Sequence, residues 1–182
     1  MIEAQVQRAL DAGIDVTHID THMGTVFHPK FLEAYIQTAL THRVPPMLVR
    51  QNVSDLQERH SLEEMDIDAE TLTRLIQGFQ TLEARGVPML DDVQGISLNP
   101  VEDCLDQIRH MLETLPAGLT YLILHPSVDT PELRAITTNW RQRVADYQTF
   151  ANPALRDVIE ETGVHVVGWR TLRDLMRDEM LS

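Results

Sequence analysis

Residues 119–126 read Leu119-Thr120-Tyr121-Leu122-Ile123-Leu124-His125-Pro126, which makes them the most apolar strand-like run of the chain. A short apolar run that contains aromatic and branched side chains and ends at a proline is typical of a buried strand in a parallel sheet. The run therefore predicts a strand whose last residue is His125. In β/α folds the carboxyl ends of such strands carry the groups that meet a ligand.

Predicted strands and helices alternate on both sides of this run. The other predicted strands lie at residues 15–20, 47–50, 87–90 and 164–169. The predicted helices lie at residues 2–12, 29–42, 69–85, 100–115, near 131–150 and 153–162, and from Thr171 onward. Because strands that are joined through helices cannot form hairpins, they must run parallel.

Two architectures fit about five parallel strands, a doubly wound open sheet and a barrel-like fold. No glycine-rich phosphate loop follows a strand, and the informative polar residues follow strand ends, which favours the barrel-like α/β fold. A closed barrel of eight strands usually needs about 250 residues, whereas this chain has 182 and begins with a helix. We therefore expect residues 1–182 to form a single β/α domain, an incomplete TIM-like barrel whose amino-terminal strands are missing.

The charge of the chain excludes several classes of partner. It has 15 Lys and Arg against 28 Asp and Glu, a net charge of −13, and no basic run, so neither nucleic acid nor an anionic membrane surface is an expected partner. No apolar stretch approaches the roughly 20 residues of a spanning helix, and the amino terminus lacks the features of a signal peptide. These features predict a cytoplasmic protein. Unpaired strand edges in an incomplete barrel would favour a homo-oligomer.

The first predicted strand carries the sequence His18-Ile19-Asp20-Thr21-His22. Because side chains alternate along a strand, His18, Asp20 and His22 are expected on one face together with Val16. Two imidazoles and a carboxylate suit a divalent metal ion such as zinc. The alternative for each histidine is a hydrogen-bonded core or surface residue.

His125 is the second candidate, because an ionisable ring at the end of a buried strand can serve as a general acid. The alternative is a strand-end histidine capped by the backbone. Asp129 and Arg143 follow in the next loop and helix and are candidate substrate-binding residues. Arg143 and Asp146 are three apart on a helix, so a solvated ion pair is the alternative for them.

Two more segments are candidates for function. The polar loop of about fifteen residues after Arg50 is long for a connection, which is typical of a functional loop. The Asp91-Asp92 pair after the third strand could bind a metal or a substrate, although an acidic turn is the simpler interpretation in so acidic a chain.

The segment Thr17-His18-Ile19-Asp20-Thr21-His22, together with Leu124-His125-Pro126 and the closing Trp169-Arg170-Thr171-Leu172 after Gly163, resembles the YdjC-like carbohydrate deacetylases, also called the ChbG/HpnK family. The strand motif of that family is Thr-His-x-Asp-Ser-His. This sequence has Thr21 where serine is usual, and Met23-Gly24 where further histidines are usual. The later His-Pro motif is kept.

The resemblance implies a β/α-barrel enzyme that uses one divalent ion, zinc or magnesium, to remove N-acetyl groups from small amino sugars. It implies that His22 is a metal ligand, that His18 and Asp20 line the same site, and that His125 protonates the departing amine. We take His125 and Asp20 as catalytic candidates and His22 and His18 as metal ligands. The Asp-Asp strand and the early metal histidine of the family do not precede His18, so we expect a fragment or a chain that has lost the chemistry.

Two other functions stay open at this point. One is a different metal-dependent barrel amidohydrolase that acts on small amides, which also places histidines on an early strand. The other is a catalytically dead domain that binds sugars or serves as a scaffold. Acetate release from N-acetylated sugars distinguishes the deacetylase from both.

Overall fold

A computed structural model describes residues 1–50, 69–97 and 104–179. Its elements in chain order are α1 (Ile2–Asp11), a 3-10 helix (His22–Phe27), α2 (Pro29–His42), α3 (Ala69–Ala84), β1 (Asp92–Gly95), α4 (Cys104–Glu113), β2 (Thr120–Ile123), α5 (Pro131–Ile136), α6 (Trp140–Phe150), α7 (Ala154–Thr162) and α8 (Trp169–Glu179). They belong to two compact units. The first comprises Met1–Leu90 with Val167–Ser182, and the second comprises Asp91–Val166.

The helices predicted near the amino terminus are confirmed. α2 has the predicted bounds, because Pro29 occupies its first turn and Arg43 ends it in the left-handed conformation, with φ of 49°. α3 is also confirmed and is followed by Gly86, whose φ is +83°. The loop proposed after Arg50 and the predicted start of the helix at 100–103 lie outside the described residues.

The predicted strands of the first unit are shorter than expected. They reduce to two isolated parallel bridges, Ile19 with Pro46 and Val49 with Leu90. To extend the first bridge by one hydrogen bond, the backbone of Pro45 would have to donate an N–H. To extend the second bridge, Pro88 would have to do so. Proline has no backbone N–H, so neither bridge grows into a strand in that direction. On the other side of the first bridge, the N–H of Thr21 donates to the Asp20 carboxylate instead.

The hydroxyl of Tyr35 reinforces the first of these bridges, in which the Met47 N–H donates to the Ile19 carbonyl at 2.9 Å. Tyr35 is 1% exposed, and its hydroxyl donates to the Ile19 carbonyl at 2.7 Å and accepts from the Met47 N–H at 2.8 Å. The ring packs with the buried side chains of α1, α2, α3, α8 and the bridging segments. One side chain of α2 therefore fixes the segment that leads to Asp20.

The second unit contains a short parallel sheet. β1 pairs with β2 in the register Asp92 with Thr120 to Gly95 with Ile123. The Asp91 carboxylate accepts the Leu119 N–H at 2.7 Å, and Gly118 lies against it with φ of +135°. The predicted strand at 119–125 is thus confirmed in a shorter form, whereas Asp92 lies in a strand and not in the predicted loop.

The strand predicted at 164–169 is wrong. Residues 164–168 have no strand partner within the described residues, and α8 begins at Trp169 instead of Thr171. The described residues therefore form a mixed α/β fold whose two-stranded sheet is open. A barrel and a single domain stay predictions. No helix in the described ranges has the length and apolar character needed to cross a membrane.

We expect Tyr35→Phe to lower the free energy of unfolding by about 0.5–1.5 kcal/mol, because it removes the hydrogen bonds of a buried hydroxyl to the Ile19 carbonyl and the Met47 N–H, which stay bonded to each other. Urea unfolding of the whole chain measures the change. Tyr147→Phe is the matched control, since Tyr147 is 45% exposed. Equal stabilities of the two variants would contradict the role given to the Tyr35 hydroxyl.

Candidate functional site

His18 lies in the first unit against the indole of Trp169. The two rings are parallel, with an interplanar angle of 3° and centroids 4.6 Å apart. The Nδ1 atom of His18 is 3.1 Å from the Thr17 hydroxyl. Burial lowers the pKa of His18 below its usual 6.5, and the Asp20 carboxylate offsets part of that shift. The ring is therefore held in one plane in an environment that favours its neutral form.

Ion pairs and a hydrogen bond connect α8 to the segment that precedes His18. The buried Arg173 guanidinium forms an ion pair with Asp15 and donates to the Val16 carbonyl at 3.3 Å. Arg170 also pairs with Asp15. These contacts place Trp169 beside His18, a neighbour that residue patterns alone did not reveal, since Trp169 entered only through the family resemblance.

The other two metal candidates are more exposed. Asp20 accepts a hydrogen bond from the Thr21 N–H, and His22 begins the 3-10 helix, where Met23 and Gly24 have φ of 56° and 71°. Across the described ranges, no three His, Cys, Asp or Glu side chains converge to hold a metal ion. The structure therefore does not bring His18, Asp20 and His22 together as a group of three, and their role as metal ligands stays a prediction.

His125 lies in the second unit, just after β2. It is half-buried, and its backbone N–H donates to Oδ2 of Asp146 at 3.0 Å. Its Nδ1 atom is buried and has no hydrogen-bond partner among the described residues. The position of His125 is therefore set by a side chain that lies 21 residues further along the chain.

Asp146 is not the solvated ion-pair partner that the sequence suggested. It is 2% exposed, and its Oδ1 atom accepts from the Gln142 amide at 3.1 Å. The buried residues of α6 are Gln142, Asp146 and Thr149. Their spacing of i, i+4 and i+7 places them on one face of the helix, but polar residues at that spacing give no sign that the face is buried.

The two candidate substrate-binding residues have different surroundings. Asp129 forms a two-pronged ion pair with Arg134, at 2.7 and 2.6 Å, and the Arg134 hydrogen bond lowers the pKa of the Asp129 carboxyl. Arg143 accepts the Ser127 N–H through its carbonyl at 2.9 Å, and its buried Nε atom has no partner in the described part of the chain. Their roles in substrate binding stay predictions.

The Asp91-Asp92 pair has structural roles in the second unit. The Asp91 carboxylate accepts the Leu119 N–H beside Gly118. The Asp92 carboxylate is buried and accepts a hydrogen bond from the Gln94 amide. These contacts support the simpler interpretation of the pair as part of the sheet and its turn.

Comparison with known proteins places the chain in a family. A family model described as YdjC-like protein matches residues 1–161. Because this match covers most of the chain, the chain belongs to the YdjC-like protein family.

Two relatives allow the length of this chain to be compared with that of named proteins. The chain is 30% identical over 175 residues to a protein named Carbohydrate deacetylase from Thermus thermophilus, a match that covers 96% of this chain and 59% of the relative. It is 21% identical over 172 residues to a protein of the same name from Thermoanaerobacter pseudethanolicus, covering 94% of this chain and 58% of that relative. The chain thus spans less than two thirds of the length of both relatives.

We expect Trp169→Ala to raise the pKa of His18 towards 6.5, because the variant removes the ring that shields the imidazole from water. NMR titration of the histidine ring nitrogens measures it, and Trp140→Ala, in the second unit, is the control. In the folded chain His18 binds its proton less tightly than in the unfolded chain. Its burial therefore costs stability as the pH falls below about 6.5. An unchanged titration in Trp169→Ala would contradict the shielding.

Proposed function

We propose that this chain is a carbohydrate deacetylase, a hydrolase that removes N-acetyl groups from small amino sugars. The similarity to the Thermus thermophilus protein of that name, 30% identity over 96% of the chain, carries the proposal. The family match over residues 1–161 supports it. A cytoplasmic location and a homo-oligomeric state stay predictions.

The reaction breaks the amide C–N bond of an acetamido group. Water adds its oxygen to the carbonyl carbon, the amine nitrogen leaves with a proton, and acetate and a free amino sugar result. We assign the proton transfer to the departing nitrogen to His125, since its backbone is fixed by Asp146 at 3.0 Å and imidazole is the usual general acid near neutral pH. Asp20, whose carboxylate is exposed, is the second catalytic candidate.

A divalent ion, zinc or magnesium, belongs to the proposal as the cofactor of the whole protein. When bound, such an ion polarises a carbonyl and acidifies a water molecule. His18 and His22 are the residues of this chain that we propose as ligands, and both offer the imidazole nitrogens that zinc accepts. The described residues do not complete a three-ligand group. The proton transfer assigned above is therefore described only for the side chain of His125 and includes no step on the metal.

That incomplete ligand set favours a second candidate function, a domain that binds N-acetylated sugars without hydrolysing them. Such a domain would bind the sugar and release no acetate. A third candidate, an amidohydrolase for small amides, would release product from simple amides and leave N-acetylated sugars intact.

We expect the chain to release acetate from N-acetylglucosamine oligosaccharides and His125→Ala to lower the rate about 10²- to 10⁴-fold, the usual contribution of a general acid. An enzyme-coupled acetate assay measures both rates. His110→Ala is the matched control, because His110 is an exposed histidine on α4 of the same unit. A wild-type rate that His125→Ala leaves unchanged would rule out the assigned role.

We expect Zn²⁺ to raise the melting temperature of the chain, since a ligand that binds only the folded state stabilises it, by about 2.7 kcal/mol at a concentration of 100 Kd. His22→Ala should abolish the increase and His110→Ala should keep it. Scanning calorimetry with and without the metal measures the effect. An equal increase in both variants would show that His22 is not a ligand.

A further inference from the structure

The carboxylate of Asp146 is buried, and both of its oxygens are occupied by donors of the second unit. Oδ2 accepts the His125 N–H at 3.0 Å and Oδ1 accepts the Gln142 amide at 3.1 Å. Asp146 and Gln142 are each 2% exposed. Burying a carboxylate costs folding free energy unless hydrogen bonds compensate for the lost contact with water. An apolar side chain at this position would carry no such cost.

The orientation of Gln142 follows from the chemistry of Asp146. An ionised carboxylate can only accept hydrogen bonds, so the amide of Gln142 must turn its NH₂ group towards Asp146. Its Oε1 atom is then left buried without a partner in the described part of the chain. The hydrogen bond between Gln142 and Asp146 therefore leaves the Oε1 atom of Gln142 unsatisfied.

A helix that served only stability would bury apolar side chains on this face. Instead, the buried residues of α6 are Gln142, Asp146 and Thr149. Local arrangements that cost stability are concentrated where a function needs a fixed geometry. The group whose backbone is fixed here is His125, the residue to which the proposed function gives the proton transfer.

We propose that Asp146 is a positioning residue for His125, which acts by holding the His125 N–H and not by its negative charge. Gln142 supports it by occupying the second carboxylate oxygen. This inference rests on the proposed function for its catalytic consequence. Its structural part, the contact between Asp146 and the backbone of His125, can be measured without turnover.

Two conservative variants separate position from charge. Asp146→Asn loses the charge but keeps an oxygen for the His125 N–H, and Gln142 can flip so that its free Oε1 accepts from the new amide. Asp146→Glu keeps the charge but moves the carboxylate by one methylene. Asp146→Ser also removes the contact with the His125 N–H, because its side chain is too short to reach it. This variant takes the place of Asp146→Glu if Asp146→Glu does not fold. Thr149→Val is the control for disturbing the buried polar face of α6.

Acetate release from N,N′-diacetylchitobiose gives kcat and KM for each full-length variant, and thermal melts report its stability. We expect Asp146→Glu to lower kcat about tenfold to a hundredfold with KM little changed, since small displacements of a reacting group cost this much. We expect Asp146→Asn and Thr149→Val to keep kcat within a few-fold of wild type, even if their melts are lower. A low kcat in Asp146→Asn together with a normal kcat in Asp146→Glu would overturn the proposal in favour of charge.

NMR of the ¹⁵N-labelled chain tests the contact independently of activity. The His125 amide should exchange slowly and its side chain should occupy one rotamer in wild type and Asp146→Asn, whereas both properties should be lost in Asp146→Glu. If the wild-type chain released no acetate, the proposed function would fail, and this measurement alone would decide the positioning role. An exchange rate and rotamer that are the same in all variants would overturn it.

Discussion

The hydroxyl of Tyr35 is the contact on which the described structure of the first unit depends. Pro45 and Pro88 remove donors that a continuous parallel ladder would use, so the backbone segments meet only at isolated bridges. Tyr35 bonds to the Ile19 carbonyl and the Met47 N–H at once. A side chain of α2 thereby adds hydrogen bonds to the backbone bridge between these two segments, one residue before Asp20.

In the second unit, a buried carboxylate bonds to backbone that lies beyond the end of a short strand. β2 ends at Ile123, and the backbone beyond it has no strand partner within the described residues. Asp146 takes the N–H of His125, and the carbonyl of Arg143 takes the N–H of Ser127. α6 therefore supplies the hydrogen bonds that a longer sheet would have given, and it fixes the candidate acid where regular structure ends.

The candidate site could be predicted in part. Histidine and aspartate at alternating positions drew attention to His18, Asp20 and His22, and a histidine after an apolar run drew attention to His125, because both patterns are local. The surroundings of these residues were not predictable in the same way. Asp146 was taken for half of a surface pair because spacing along a helix shows which residues share a face but not which face is buried.

The sequence by itself determined the helices, the parallel connections and the chemically capable residues. Helix periodicity, Pro29 and glycine stops act within a few residues, so α1, α2 and α3 could be predicted close to their observed bounds. The tertiary structure decided how short the strands are, the stacking of His18 on Trp169 and the pairing of Arg173 with Asp15, 158 residues apart. Such contacts depend on which distant segments pack together, and no local propensity encodes that.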